Sequence, residues 1–275
     1  MTIENAVALG VLQGLTEFLP VSSSGHLVVM PHLMPRLFGG ASPPLAFDVL
    51  VHVGTLVAAV AFMRTDVWQV IRGAWRLGKA PGRWRVLWRD DPWVRLVALI
   101  ALSTLVTAVI GLAGGEVFEP LFEAPRVACV GLLVTAALLF ASHRLRREGN
   151  AVVEAHNMPV VTALLVGLAQ GVAITPGISR SGSTMCSGLL AGVSRDSAFR
   201  YAFLLMIPAV ALAALKHVTE GGIGGIDAAM ALGAIASAVV GFAALAALRV
   251  LVVRGHLWVF AVYCVALALY GLARI

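Results

Sequence analysis

The sequence predicts an all-α polytopic membrane protein with six spanning helices, two re-entrant helical hairpins and an inverted internal repeat. Composition supports this class first. Of the 275 residues, 60% are hydrophobic and only 12% are charged, whereas about 25% are charged in an ordinary soluble domain. A mean hydropathy of +0.93 leaves too little polar surface for a water-soluble fold. Lipid must therefore solvate most of the chain.

Long apolar runs are the second observation. A helix needs roughly 20 mostly apolar residues to cross a bilayer. The candidate spans are residues 45–63, 96–114, 127–142, 199–215, 226–248 and 257–273. These six runs leave little room for a separate soluble domain, so we expect a single membrane domain over residues 1–275.

The basic residues lie mostly in short loops between apolar runs. Eight of the 20 Lys and Arg residues fall within residues 64–95, and further arginines occupy residues 144–147 and 249–254. Such loops face the cytoplasm in membrane proteins. The net charge of +6 therefore favours anionic lipid headgroups over nucleic acid as the partner. Because residues 64–95 also carry Trp68, Trp75, Trp84 and Trp88, we interpret them as a basic interfacial segment.

An internal repeat is the third observation. Residues 13–25 read QGLTEFLPVSSSG, and residues 170–182 read QGVAITPGISRSG. Five identities recur at a constant offset of 157 residues: Gln13, Gly14, Ser22, Ser24 and Gly25 match Gln170, Gly171, Ser179, Ser181 and Gly182. We place repeat one at about residues 1–142 and repeat two at about residues 158–275.

The positions of the basic loops predict that the two repeats have opposite orientations. Run 45–63 ends on a basic loop, so it crosses from outside to inside. Its counterpart, run 199–215, begins beside Arg195 and Arg200, so it crosses from inside to outside. Inverted repeats of broken helices place polar sites where the repeats meet, within the membrane.

Prolines predict a break in each copy of the repeat. Helix one should run over residues 3–19 and stop before Pro20. A second helix from about Ser22 should continue through Met30, and it is too short to span the membrane before Pro31 and Pro35. In the second copy, Pro176 should separate a helix ending near residue 174 from one over residues 179–192. Irregular backbone at membrane depth is tolerated only inside protein or beside a wet cavity, so we expect the two loops to face each other.

Both loops carry the chemistry of an anion site. Helix starts present free N–H groups and a positive dipole end. The candidate substrate-binding residues there are Ser22, Ser24, Gly25, Ser179, Ser181, Gly182 and Ser183, with Gln13 on helix one. Arg180 lies within the second loop, and its guanidinium matches a phosphate. As an alternative, Arg180 is a carboxylate-paired or snorkelling cation.

Catalytic candidates adjoin this anion site. Glu17 follows Gln13 by four residues, so the two side chains share one face of helix one. His26 follows Ser23 by three residues and Ser22 by four, so either hydroxyl could approach its ring, as in an activated nucleophile. Taken singly, these serines are more often helix caps, the histidine more often bonds to neighbours, and Glu17 could be an interfacial anchor.

Two motifs and a shorter match identify a family resemblance. QGLTEFLPVSSSGH at residues 13–26, PGISRSGST at residues 176–184 and AFD at residues 46–48 resemble the signatures of bacterial undecaprenyl-diphosphate phosphatases of the bacitracin-resistance type. The resemblance covers essentially the whole chain. It implies hydrolysis of undecaprenyl diphosphate to the monophosphate, which recycles the lipid carrier for cell-wall peptidoglycan synthesis.

The resemblance also implies a site and a location. Functional positions fall on Glu17, Ser22, Ser23, His26, Ser179 and Arg180, at a site that opens to the outer face of the bacterial plasma membrane. It implies a divalent cation, Mg²⁺ or Ca²⁺, with Glu17 as its ligand. Many members carry Glu where this chain has Gln13, which weakens a two-carboxylate metal site.

We therefore hypothesise that Ser23 attacks the terminal phosphorus, or positions a water that does, with His26 as base and Arg180 stabilising negative charge. A phosphohistidine at His26 is an alternative. A transporter or flippase for a lipid phosphate or another anion is the rival function, because carriers also use broken helices. Asp48 and His52 either belong to the site or only satisfy each other.

Two further expectations concern packing. Cys129, Cys186 and Cys264 lie in apolar runs, so we expect inert packing thiols. The motif Gly188-x-x-x-Gly192 permits close helix packing, either in a homodimer or within one chain.

Overall fold

The computed structural model describes residues 1–38, 44–145, 153–219 and 225–275. These parts of the chain are almost entirely helical. The α-helices are α1 (Ile3–Phe18), α2 (Ser23–Leu33), α3 (Pro35–Phe38), α4 (Leu45–Phe62), α5 (Arg64–Lys79), α6 (Trp84–Asp90), α7 (Pro92–Ala113), α8 (Gly115–Phe118), α9 (Pro125–Leu145), α10 (Val160–Val172), α11 (Arg180–Leu190), α12 (Arg195–Thr219), α13 (Ala228–Val253) and α14 (Trp258–Arg274). Short 3₁₀ turns occupy Pro81–Arg83, Glu119–Glu123 and Ala155–Asn157.

Five of these helices are long and apolar enough to cross a membrane: α4, α7, α9, α12 and α13. They coincide with five of the six predicted apolar runs, which confirms an all-α polytopic membrane protein. The sixth run forms α14, an apolar helix of 17 residues. At 1.5 Å per residue it is about 26 Å long, slightly less than a hydrocarbon core of about 30 Å.

Both predicted helix breaks are present. Helix α1 ends at Phe18 and α2 begins at Ser23, while α10 ends at Val172 and α11 begins at Arg180. Helix α2 extends through Met30, as predicted, and continues over Pro31 to Leu33. Proline removes one N–H bond to the preceding turn and its ring crowds the carbonyl oxygen four residues earlier, but two residues before a helix end this cost is tolerated.

Each broken pair folds back on itself. Ala6 and Leu9, in the first turns of α1, share a core cluster with Phe38 of α3, so the chain after α2 returns to the start of α1. Val153, which precedes α10, forms a parallel bridge with Val193, which follows α11. The two copies are therefore both helical hairpins with adjacent ends.

Glycines allow the first helix of each hairpin to pack closely on a long helix. A Cβ at Gly10 of α1 would lie 2.1 Å from the carbonyl oxygen of Gly233 in α13. A Cβ at Gly167 of α10 would lie 2.7 Å from the carbonyl oxygen of Ser103 in α7. Gly10 and Gly167 are themselves 157 residues apart, so the packing follows the register of the sequence repeat.

Ion pairs connect the basic segments at one end of the bundle. Arg200, near the start of α12, bonds to Asp66, just beyond the end of α4. Arg249, near the end of α13, bonds to Asp196. Helix α4 therefore ends beside the start of α12, and α13 ends there too.

The basic segment 64–95 forms α5, α6 and the start of α7. Gly73 packs against the backbone of Trp93, which leaves the opposite face of α5 exposed. Trp68 and Trp75 are 54% and 64% exposed there, with Arg72 and Lys79 over their rings. Exposed indoles beside cations are typical of a headgroup interface.

In the second predicted basic loop, Arg146 and Arg147 lie outside the described residues.

The small-residue motif makes no unusually close helix contact in the described structure. A Cβ at Gly188 would meet Ala198 at an ordinary 3.5 Å, and Gly192 has a positive φ of 88° with nothing within 4 Å of the corresponding position. Gly192 thus ends a turn after α11, and the motif gives no support to a homodimer.

The three cysteines are buried free thiols, as expected for packing residues.

Candidate active site

Glu17, at the end of α1, lies at the centre of the polar cluster. Its side chain is only 1% exposed. One carboxylate oxygen accepts hydrogen bonds from Gln13 Nε2 at 2.9 Å and from Ser23 Oγ at 2.6 Å. The other accepts from Arg180 Nη2. A carboxylate buried this deeply requires such partners.

Arg180 joins the two hairpins electrostatically. It is the first residue of α11, whereas Glu17 belongs to the other copy of the repeat, 163 residues earlier. Its second terminal nitrogen, Nη1, is buried and makes no hydrogen bond within the described residues. Arg180 is thus carboxylate-paired, as the alternative interpretation held, and it still retains an unused donor.

The two loops are in direct contact, as predicted. A Cβ at Gly25 would lie 2.8 Å from Gly177 Cα, and one at Gly182 would lie 3.3 Å from Pro20 Cβ. Ser181 Oγ donates to the carbonyl oxygen of Leu19 at 3.3 Å. The starts of α2 and α11 therefore converge on one point, where both helix dipoles favour negative charge.

Serines cap the two helices in the same way. Ser22 Oγ accepts from Gly25 N at 3.2 Å, and Ser179 Oγ accepts from Gly182 N at 3.1 Å. Each capping hydroxyl also pairs at 3.2 Å with the serine two residues later, Ser24 and Ser181 respectively. These contacts repeat at the 157-residue offset. These four serines therefore shape the loops, and their part in substrate binding stays a prediction.

The predicted approach of a serine hydroxyl to the ring of His26 is wrong. His26 Nδ1 lies 2.8 Å from the carbonyl oxygen of Ser22, and Nε2 lies 2.7 Å from the hydroxyl of Tyr263 on α14. Ser23 points instead to Glu17. Because the first turn of a helix directs residues 22 and 23 to different sides, sequence spacing alone did not identify the contact.

Two polar groups at the site are buried and without partners in the described part of the chain. They are the hydroxyl of Ser183 and the Oε1 atom of Gln13. Buried polar groups in proteins are normally satisfied. Together with Arg180 Nη1, these atoms supply unused hydrogen-bonding capacity for a polar ligand.

His52 and Asp48 extend the cluster along α4. His52 Nε2 is 3.7 Å from Glu17 Oε2, and His52 Nδ1 is 3.6 Å from a carboxylate oxygen of Asp48. Their side chains are 28% and 37% exposed. The question left open by the sequence is resolved for His52, which lies beside the central carboxylate.

Thr135 of α9 is a support that sequence analysis missed. Its hydroxyl donates to the carbonyl oxygen of Gly177 and accepts from the N–H of Ser179, both at 2.8 Å. It is 1% exposed. A threonine within an apolar span gives only a weak signal in sequence, because its hydroxyl usually bonds to its own helix.

The cluster lies near the middle of the bundle. Gly14 approaches Ser237, and Phe18 packs against Gly241. Ser237 and Gly241 are central in α13, which extends over 26 residues. The polar groups around Glu17 are consequently far from both ends of a spanning helix.

The donor set fits a divalent cation only when a ligand contributes. The residues that the structure describes contain no group of three His, Cys, Asp or Glu side chains placed to hold a metal. Glu17 and the unpartnered Gln13 Oε1 are two oxygen donors on one helix face. Mg²⁺ is commonly bound by one or two carboxylates plus substrate phosphates, and Glu17 supplies one such carboxylate.

Comparison with known proteins identifies the family of this chain. The family model described as "Bacitracin resistance protein BacA" matches residues 6–270. An undecaprenyl-diphosphatase of Desulfatibacillum aliphaticivorans is 42% identical over 94% of this chain and 93% of the relative. Relatives of the same name from Rubrobacter xylanophilus and Methanosphaera stadtmanae are 39% and 37% identical, each over 96% of this chain and 94% and 95% of their own lengths. The chain belongs to the BacA family of bacitracin resistance proteins.

Proposed function

We propose that this protein hydrolyses undecaprenyl diphosphate to undecaprenyl monophosphate and inorganic phosphate. The observation that carries this proposal is the buried contact of Ser23 and Arg180 with Glu17, where the two hairpins meet. A hydroxyl paired with a carboxylate beside an unused guanidinium donor suits phosphoryl transfer. A carrier has no need for a hydroxyl paired with a base, so the transporter alternative is not favoured.

The arrangement of the hairpins supports an inverted repeat in the membrane. The ends of the second hairpin lie at the basic end of the bundle, where Glu154 bonds to Ser197. The ends of the first hairpin pack beside the start of α4, and α4 ends at the basic end. We infer that the two hairpins re-enter the membrane from opposite sides and that α14 is the sixth span.

The basic end then faces the cytoplasm, and the first hairpin enters from the outer face of the plasma membrane. The diphosphate would reach Glu17 from that face, past the partly exposed Asp48 and His52. The undecaprenyl chain would remain in lipid. This orientation suits recycling of the carrier for cell-wall synthesis.

Binding would use the donors that have no partner among the described residues. Arg180 Nη1 can hold the terminal phosphate while Nη2 stays on Glu17, and the Ser183 hydroxyl adds a further donor. The N–H groups at the starts of α2 and α11 contribute their positive ends. Ser22, Ser24, Gly25, Ser179, Ser181 and Gly182 act by holding those helix starts in place.

In the reaction, Ser23 Oγ forms a bond to the terminal phosphorus while the bond to the bridging oxygen breaks. The hydroxyl proton passes to Glu17, and undecaprenyl monophosphate leaves with the bridging oxygen. A water molecule then cleaves the phosphoserine and releases phosphate. Alternatively, Ser23 holds a water that attacks directly. Because Glu17, and not His26, contacts Ser23, we reassign the base of the sequence-based hypothesis.

A divalent cation, Mg²⁺ or Ca²⁺, would be held by Glu17, Gln13 Oε1 and the diphosphate. It would neutralise charge on the phosphate oxygens.

Phosphate release from undecaprenyl diphosphate by the purified protein in detergent tests the function. Arg180→Ala should lower turnover by about 10²–10³-fold, whereas Arg89→Ala, an exposed arginine paired with Asp90, should not. A chelator should abolish release if the cation bridges substrate and protein. Absence of phosphate release by the unmodified protein with added Mg²⁺ and Ca²⁺ would refute the proposal.

The covalent route has its own test. Rapid acid quenching with substrate labelled in the terminal phosphate should trap an acid-stable phosphoserine, which Ser23→Ala abolishes and Ser24→Ala retains. An acid-labile adduct at His26 would support the phosphohistidine alternative. Turnover without any trapped adduct would favour direct attack by water.

A further inference from the structure

The start of α2 contains an unusual backbone conformation. Ser22 has a φ of 69°, and it is the one non-glycine residue with positive φ in the described ranges. A side chain disfavours this region of backbone conformation. The turn persists only where neighbouring contacts hold it.

His26 supplies one of those contacts. Its Nδ1 atom is 2.8 Å from the Ser22 carbonyl oxygen. A carbonyl only accepts hydrogen bonds, so Nδ1 must carry the proton. In the neutral ring, Nε2 then has the lone pair and must accept.

Tyr263 provides the donor for that lone pair. Its hydroxyl lies 2.7 Å from His26 Nε2, and the two rings are parallel within 3°, with centroids 5.7 Å apart. The next residue on α14, Cys264, places its sulfur 3.9 Å from the carbonyl oxygen of Pro20. Helix α14 thus contacts the first loop both before Ser22, at Pro20, and after it, at His26.

We propose that Tyr263 is a positioning residue: through His26 it holds the Ser22 turn that directs the Ser23 hydroxyl to Glu17. The proposal rests on the proposed function, because it assigns Ser23 to the reaction. It gives His26 a role that does not require contact with Ser23. Both nitrogens of the imidazole are engaged, one by the turn and the other by α14.

Tyr263→Phe keeps the aromatic ring and removes only the hydroxyl. Loss of one neutral hydrogen bond should lower kcat by about five- to tenfold. KM should change less than kcat, since Arg180 and the start of α11, which also bind the diphosphate, are untouched. Tyr270→Phe is the matched control, because Tyr270 lies on the same helix face and contacts Arg274 only through its ring; its kinetics should equal those of the unmodified protein.

A double-variant cycle separates positioning from general stability. In a His26→Gln background, Tyr263→Phe should have no further effect on kcat, since the hydroxyl acts through the imidazole. Independent, multiplying losses in the double variant would overturn the proposal. So would an unchanged kcat in Tyr263→Phe.

Nitrogen NMR of histidine-labelled protein gives a readout that does not depend on turnover. The resonance that disappears in His26→Gln belongs to His26, and it should report a proton fixed on Nδ1. In Tyr263→Phe this proton should exchange faster with water, while in Tyr270→Phe it should not. If the unmodified protein released no phosphate, the proposed function would fail, and this spectrum would still decide whether Tyr263 fixes the imidazole.

Discussion

Glu17 combines three contacts of different kinds. Arg180 balances its charge, Gln13 fixes its orientation, and Ser23 donates a proton that the reaction would remove. Removing one partner of a buried ion pair leaves the other charge uncompensated, at a cost of about 3–5 kcal/mol. The residues of this cluster therefore depend on one another for folding as well as chemistry.

Glu17→Gln should lower the rate of phosphate release by about 10²–10⁴-fold, because the amide cannot accept the Ser23 proton. Initial rates with undecaprenyl diphosphate measure this loss. Glu4→Gln, an exposed change on the same helix, is the control and should be silent. Retention of more than about a tenth of the rate in Glu17→Gln would exclude Glu17 as the base.

Thr135→Val should reduce kcat by about tenfold while the protein still folds, because the second loop loses both hydrogen bonds that anchor Gly177 and Ser179. The side chains have similar volumes, so packing is nearly preserved. Thr104→Val is the control, since the Thr104 hydroxyl makes no hydrogen bond in the described structure. Equal kcat values for the two variants would contradict the role given to Thr135.

At the scale of elements, the site depends on how closely the hairpins approach the long helices. Gly10 and Gly14 let α1 touch the backbone of α13, and Gly131 of α9 lets the second loop approach through Pro176. In these contacts a backbone carbonyl oxygen of one element lies directly against a glycine of the other, and a backbone atom cannot move aside as a side chain can. A methyl group added at such a glycine would therefore push the two elements apart.

Gly10→Ala should destabilise the protein by about 1–3 kcal/mol, because its Cβ would lie 2.1 Å from the Gly233 carbonyl oxygen. Gly78→Ala, in α5 with nothing within 4 Å, should stabilise by about 0.5–1 kcal/mol through helix propensity. Thermal unfolding in detergent compares the two. A Tm for Gly10→Ala at or above that of the unmodified protein would refute this packing.

For the whole molecule, the distribution of charge makes a prediction about orientation. The basic segments gather at one end of the bundle through the pairs Asp66–Arg200 and Asp196–Arg249. The start of α1 packs away from that end, beside Phe47 at the start of α4. If the positive end is cytoplasmic, the start of α1 faces outward.

Cysteine labelling in intact cells tests that orientation. Glu4→Cys should react with a membrane-impermeant maleimide from outside, whereas Arg89→Cys should react only after the membrane is permeabilised. The native cysteines are buried and should stay silent. The opposite labelling pattern would invert the topology and place the site's entrance at the cytoplasmic face.

The sequence predicted much of this organisation because its signals are local. Apolar runs and prolines located the spans and the breaks, and the 157-residue register correctly paired the two loops. The contact of Ser23 with Glu17 was missed, because it depends on the direction of side chains within one helical turn. Tyr263 lies 237 residues from His26, and no local pattern connects them.

By itself, the sequence determined that most of the chain lies in lipid, where its helices are interrupted, and which polar residues within the membrane are candidates for a function. Hydrophobicity, proline geometry and the cost of intramembrane charge are properties of single residues or short segments, so they can be inferred from the amino-acid sequence. The tertiary structure decided which polar groups meet: Glu17 with Ser23 and Arg180, and His26 with Tyr263. Those pairings depend on how helices distant in sequence pack within a few ångströms of one another, and only the tertiary structure shows this packing.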